Sequence, residues 1–174
     1  MMKINYYILF LLVCICSSSV LSQVNYETKL FQTQQGHFYI EVMINNAGPY
    51  RMIVDTAASV TFLRNDVIKE IGLSEIPGAS LSVEGAGGTI QLNYYKINNL
   101  KIGTNSLSNI KMAGQISPKW PEFGEEIHGI LGFDIMGANN LWFSQSTEQL
   151  LILSEIDESI NQSNGWESIA FKSY

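Results

Sequence analysis

Asp55 stands at the end of an apolar run and at the mouth of a turn of small residues. Met52, Ile53 and Val54 lead into it, Thr56, Ala57, Ala58 and Ser59 follow, and Val60, Thr61, Phe62 and Leu63 leave as a second β-type run. A carboxylate delivered by a buried strand is costly unless donors or a partner charge meet it. Held in that way it can take a proton from water as a general base or, once protonated, give one as a general acid. The same residue types also suit an ordinary turn between two strands, where Asp and Ser are common. Both readings stand on Arg51–Leu63 alone.

Further along, Gly129–Met136 reads GILGFDIM, a short apolar strand cut by two glycines and followed by Asp134. Taken in this order and within one domain's length, the two segments resemble the single-lobed, retropepsin-like aspartic peptidases. That family carries a hydrophobic run, then Asp, Thr or Ser, Gly and Ala, and later an apolar, apolar, Gly signature before a short helix. The resemblance covers roughly residues 35–153.

The resemblance implies a specific chemistry. Two carboxylates a few ångströms apart cannot both ionise, so one proton is shared between them. One then acts as general base on water while the protonated one polarises the peptide carbonyl. This chain holds one such motif. Its other aspartates, Asp66, Asp134 and Asp157, fall at a helix start, after the signature strand and in an acidic tail. The second Asp55 must therefore come from another copy, in a homodimer with the site on its two-fold axis. By the family's pattern Thr56 would hydrogen-bond across that axis, the backbone at Ala57 would hold the carboxylates coplanar, and Ser59 would hydrogen-bond near the outer carboxylate oxygen. Ala57 replaces the family's usual Gly, which is favoured where backbones approach closely or φ is unusual. This departure is what an inactive relative would carry, so a peptide-binding or dimerisation module of the same fold is the alternative to a peptidase.

Gly85, Ala86, Gly87 and Gly88, flanked by Val83 and Ile90, resemble the glycine-rich flap that closes over substrate and excludes water. They read equally as a glycine-rich hairpin tip. No phosphate loop is implied, because no Lys or Ser/Thr follows in register and no helix opens there. Of the two histidines, His37 and His128, the second precedes Gly129 and suits a strand end. Ser59 lies in AASVT and has no nucleophile-elbow context. No HExxH or similar spacing calls for a metal, and no cofactor is expected. Tyr94, Tyr95, Trp142 and Phe143 are expected to pack across strands.

The whole chain has 174 residues and a formal charge of −6. It opens with Lys3, an apolar block from Tyr6 to Cys16 and a small polar run around Ser17–Ser19. That order is expected to be a secretory signal peptide over residues 1–22, cleaved after Ser22, with a retained anchor as the alternative. Cys14 and Cys16 are the only cysteines, so a chain beginning near Gln23 would have neither disulfide nor thiolate chemistry. It would be secreted or periplasmic, without stable membrane insertion. An acidic balance with no Lys or Arg cluster argues against a nucleic-acid partner. The expected partners are a peptide or protein substrate and a second copy of the chain.

The elements that must position Asp55 follow from periodicity. Residues 23–34 read as a lead-in arm with an edge strand around Lys29–Thr33. Phe38–Ile44 alternates with period two and, after turn chemistry at Asn45–Pro49, returns as an arm ending on Asp55. Asn65–Ile71 predicts a two-turn helix capped by Asn65 and stopped by Gly72. Leu81–Glu84, Thr89–Ile102, Ser106–Ile116 and Ile127–Leu131 predict strands, with bends at Asn98–Asn99 or Gly103–Asn105 and a loop at 117–126. Phe133–Met136 is a helical turn, and Leu141–Phe143 with Gln149–Leu153 a closing hairpin. The expected fold is all-β, a closed, barrel-like retropepsin type with one or two short helices over residues 35–153, followed by a polar tail at 154–174.

Overall fold

The alternation of Phe38–Ile44 becomes strand β3, which pairs antiparallel with β4 (Ala47–Val54), Tyr39 facing Ile53 and Val42 facing Tyr50. Between them only Asn45 and Asn46 turn the chain, at φ of 50° and 68°. Asn tolerates this left-handed region, and two such residues give the twist a tight hairpin needs. The turn is therefore shorter than expected, and the strand resumes through Gly48 and Pro49. The computed structural model describes residues 24–85, 88–115, 123, 126–137 and 139–153. The expected signal segment 1–22, Ala86 and Gly87, most of the 117–126 loop and the tail 154–174 lie outside the described residues.

After Asp55 the chain forms β5 (Phe62–Arg64) and α1 (Asn65–Ile71). The long hairpin β6 (Glu75–Gly85) and β7 (Gly88–Ile102), then β8 (Asn105–Gln115) and β9 (Gly129–Leu131), follow. β7 runs unbroken through Asn98 and Asn99, and the bend falls at Gly103 instead, at φ 56°. Helix α1 is capped by the extended Arg64 rather than by Asn65, which is its first helical residue, and Gly72 ends it in the left-handed conformation. Asp66 accepts the Val67 N–H in the first turn, 3.0 Å away.

The pairings β3–β4–β9–β5–β8–β7 return to β3, where Val42 faces Ile102 and Ile44 faces Leu100. Six strands thus close into a barrel, which removes the unpaired edges an open sheet would expose. Ile40, Val42, Ile44, Met52, Leu63, Ile97, Leu100, Met112 and Leu131 fill its interior. Met136 of α2 (Phe133–Met136) and Leu150 add to the same core.

A second, three-stranded sheet has the order β1–β11–β10, from Val24–Lys29, Gln149–Leu153 and Asn140–Ser144. Here the lead-in arm differs from expectation. Its main strand is Val24–Lys29, paired with β11, and only Phe31 and Gln32 (β2) pair with β3. The polar residues of the arm hid this pairing, because β1 lies on the sheet's rim with one face in water. Among the described residues no helix is long and apolar enough to cross a membrane, which says nothing of strands.

Candidate active site

Strand β4 delivers Asp55 because β9 lies parallel to it, Met52 facing Gly129 and Val54 facing Leu131. The ladder continues one step past the strand, with the Asp55 N–H donating to the Leu131 carbonyl at 3.1 Å. The turn beyond is closed by the Ala58 N–H on the Asp55 carbonyl at 3.3 Å. The Ala57 N–H donates to Asp55 Oδ1 at 2.8 Å. The carboxylate is thus aimed by its own backbone and partly open to solvent. Ala57 is not among the residues with positive φ, so its methyl group costs no backbone strain in this chain. Thr56 and Ser59 are both exposed. Within the single chain the structure brings Ala57, not Ser59, to Asp55.

The loop is locked from behind by residues the sequence reading passed over. Thr61 is fully buried, and its Oγ1 donates to Asp134 Oδ1 at 2.6 Å while accepting the Gly132 N–H at 3.0 Å. The Phe133 N–H donates to the Ala58 carbonyl at 2.7 Å. A Cβ on Gly132 would lie 2.6 Å from the Val60 carbonyl carbon and 2.8 Å from the Ala58 oxygen, both backbone, so only glycine permits this approach. The signature glycine and the Asp55 turn are therefore one packed unit. A hydroxyl in the apolar run VTFL, which must find partners once buried, was the available signal.

His128 performs a similar service one turn earlier. Its Nδ1 accepts the Arg51 N–H at 3.0 Å, its own N–H donates to the Arg51 carbonyl at 2.8 Å, and its carbonyl accepts the Arg64 N–H at 2.9 Å. It does stand at the strand end, and it ties β4, β5 and β9 together there. Burial pushes its pKa below the usual histidine value, with Glu126 opposing and Arg64 and Arg51 assisting. The buried Arg64 guanidinium donates to the Ile127 carbonyl at 2.7 Å and pairs with Asp66. That hydrogen bond holds the Asp66 carboxyl below the ordinary carboxylate range.

Strand alternation places Ile53 on the same face as Asp55. Across the ladder Tyr39 faces Ile53, Ile53 faces Ile130, Ile130 faces Phe62, Phe62 faces Ala113 and Ala113 faces Tyr94. One continuous apolar row therefore crosses six strands on the outer face beneath the carboxylate. Phe123 and Ile127 pack at one end of it and Leu81 and Val83 of β6 at the other. Gly85 faces Gly88 at the far end of the β6–β7 hairpin, while Ala86 and Gly87 lie outside the described residues. Tyr94 and Phe143 pack across strands as expected. Among the described residues, no three His, Cys, Asp or Glu side chains come together as a metal site would need.

Residues 40–135, more than half of the chain and spanning β3 to α2, match the family described as aspartyl protease. No curated protein matches the sequence. The crystal structure of a retropepsin-like aspartic protease from Rickettsia conorii resembles this fold, with a TM-score of 0.50 at 18% identity over 73% of this chain and 88% of that one. A weaker likeness, with a TM-score of 0.45 at 18% identity over 61% of this chain and 90% of that one, is to EIAV protease complexed with the inhibitor HBY-793.

Proposed function

The chain belongs to the aspartyl protease family and has the retropepsin type of fold, and from that premise we propose that it is an endopeptidase working as a homodimer, with one Asp55 from each copy. The observation that carries this reading is the Asp55 turn itself. Its carboxylate is oriented by the Ala57 N–H, partly open, and held from behind by Thr61, Gly132 and Asp134. One chain supplies one such turn, and the chemistry needs two carboxylates.

Between two Asp55 side chains one proton is shared. The ionised carboxylate takes a proton from water as the water oxygen bonds to the peptide carbonyl carbon. The protonated carboxyl hydrogen-bonds the carbonyl oxygen as negative charge develops there. Collapse of the tetrahedral species breaks the C–N bond, a proton passes to the leaving nitrogen, and a carboxylic acid and an amine result. Thr56, exposed beside Asp55, would tie the two loops across the axis, and Ser59 would support the outer oxygen. By the family's pattern the glycine-rich run Gly85, Ala86, Gly87 and Gly88 would serve as the flap over the peptide, and the pairing of Gly85 with Gly88 in the β6–β7 hairpin supports that reading. The signal-like order of the first 22 residues supports a site of action outside the cytoplasm.

The test is Asp55→Asn. Wild-type protein is expected to cleave an unfolded protein best at mildly acidic pH, and the variant to lose that cleavage while keeping its circular dichroism spectrum. Cleavage unaffected by the substitution would overturn the reading.

A further inference from the structure

The parallel contact of β4 with β9 runs only from Met52 facing Gly129 to Val54 facing Leu131. In so short a pairing, what happens at one end bears on the other. The far end seats Asp55, whose N–H donates to the Leu131 carbonyl. The near end is held by His128. Both backbone groups of Arg51 point at it: the Arg51 carbonyl accepts the His128 N–H at 2.8 Å, and the Arg51 N–H is accepted by the ring Nδ1 at 3.0 Å. A side-chain nitrogen thus stands where a longer β9 would offer a backbone carbonyl. A carbonyl accepts at every pH, whereas Nδ1 accepts only in a neutral imidazole with its proton on Nε2. One rung beside the Asp55 strand is therefore titratable.

The surroundings of the ring say what its protonation would do. Tyr50 of β4 meets it edge-on, with centroids 5.4 Å apart, and donates its hydroxyl to Glu70 of α1 at 3.4 Å. The charges facing the ring are Arg51 of β4, Arg64 of β5, Asp66 of α1 and Glu126 just before β9. Burial is the chief reason His128 stays neutral; Glu126 and Asp66 favour the cation, and the two arginines oppose it. Asp66 is already engaged by the Arg64 guanidinium. A protonated ring would present an N–H to the Arg51 N–H, with two guanidinium groups near it. The exposed Glu126 carboxylate is the group toward which such a cation can turn.

Resting on the peptidase reading above, we infer that His128 is a positioning residue for Asp55 and an acid-operated release. Neutral, it fixes the strand that delivers the carboxylate. Protonated, it drops the Arg51 N–H, loosens the β4–β9 pairing and lowers cleavage. Histidine suits this role because its charge changes near physiological pH. The acid side of the pH profile then belongs to His128 rather than to the Asp55 pair. The release is reversible, since it moves one proton and one hydrogen bond.

The test is the pH profile of kcat/KM for wild type and His128→Asn, each scaled to its own maximum. The Asn oxygen can accept the Arg51 N–H and does not titrate, so the acid limb of the variant is expected roughly one pH unit lower. His128→Ala, which offers no acceptor, is expected to be weak at every pH. Identical acid limbs for wild type and His128→Asn would overturn the inference and give the limb to the Asp55 pair. A second measurement, by NMR on the wild-type protein, needs neither substitution nor activity. The Arg51 and Ala57 amide resonances are expected to move with the same midpoint as the His128 ring. An Ala57 amide that ignores that midpoint would overturn the inference whatever the activity, because the ring's charge would not reach the Asp55 turn. A protein that cleaves nothing at any pH, yet whose Ala57 amide follows His128, would sink the peptidase reading alone and leave the coupling standing.

Discussion

Thr61 and Asp134, 73 residues apart, are joined side chain to side chain at 2.6 Å, and the same hydroxyl holds the Gly132 N–H. This tie fastens the turn that carries Asp55 to the glycine of the second motif. Thr61→Val keeps the shape but leaves the Gly132 N–H buried without a partner and Asp134 without its donor. The expected cost is about 1–3 kcal/mol in urea denaturation, with a loss of cleavage larger than the loss of folded protein. Thr61→Ser, which keeps the hydroxyl, should recover most of both. Equal stability of the Val variant would show that the tie does not hold the turn.

His128 makes stability depend on pH in a defined direction. Burial holds its folded pKa below the unfolded value of 6.5, so the unfolded chain binds more protons between those two values. Its contribution is complete above 6.5 and is lost as pH falls through the folded pKa. Protonation also removes the acceptor for the Arg51 N–H. In His128→Asn the side-chain oxygen can take the place of Nδ1 without titrating. Urea midpoints measured from pH 7 to pH 5 should fall less for this variant than for wild type. Parallel curves would show that His128 is not the group responsible.

Ala57 is the residue at which the chain departs from the family's usual glycine. Its φ is not positive and its N–H reaches the Asp55 carboxylate, so glycine there would relieve no strain and would add freedom to the unfolded chain. Ala57→Gly is therefore expected to lower stability by about 0.5–1 kcal/mol and to change the cleavage rate by less than about threefold. A rate increase of a hundredfold or more would show that the methyl group obstructs the approach of the two turns.

The hairpin ending on Asp55, helix α1 and strands β7 and β8 were legible because period two, Gly72 and the apolar runs act locally. The barrel's closure was not, since it depends on Val42 meeting Ile102 across the ring, a pairing no local pattern encodes. Strand β1 was missed for a related reason: Val24–Lys29 reads as polar arm until β11 gives it a partner. At the site, Asp55 announced itself by its setting among apolar residues. Thr61 and Arg64 did not, because each acts through a backbone group distant in sequence, Gly132 and Ile127 respectively, and His128 was legible as a strand end but not as the acceptor for the Arg51 N–H.

The most direct measurement mixes wild-type chain with the Asp55→Asn chain at fixed total concentration and lets subunits exchange. If each site takes one carboxylate from each copy, only pairs of two wild-type chains are competent, and an equal mixture should keep about one quarter of the wild-type rate. Retention of about one half would mean that each chain cuts by itself, and would contradict the shared Asp55 site.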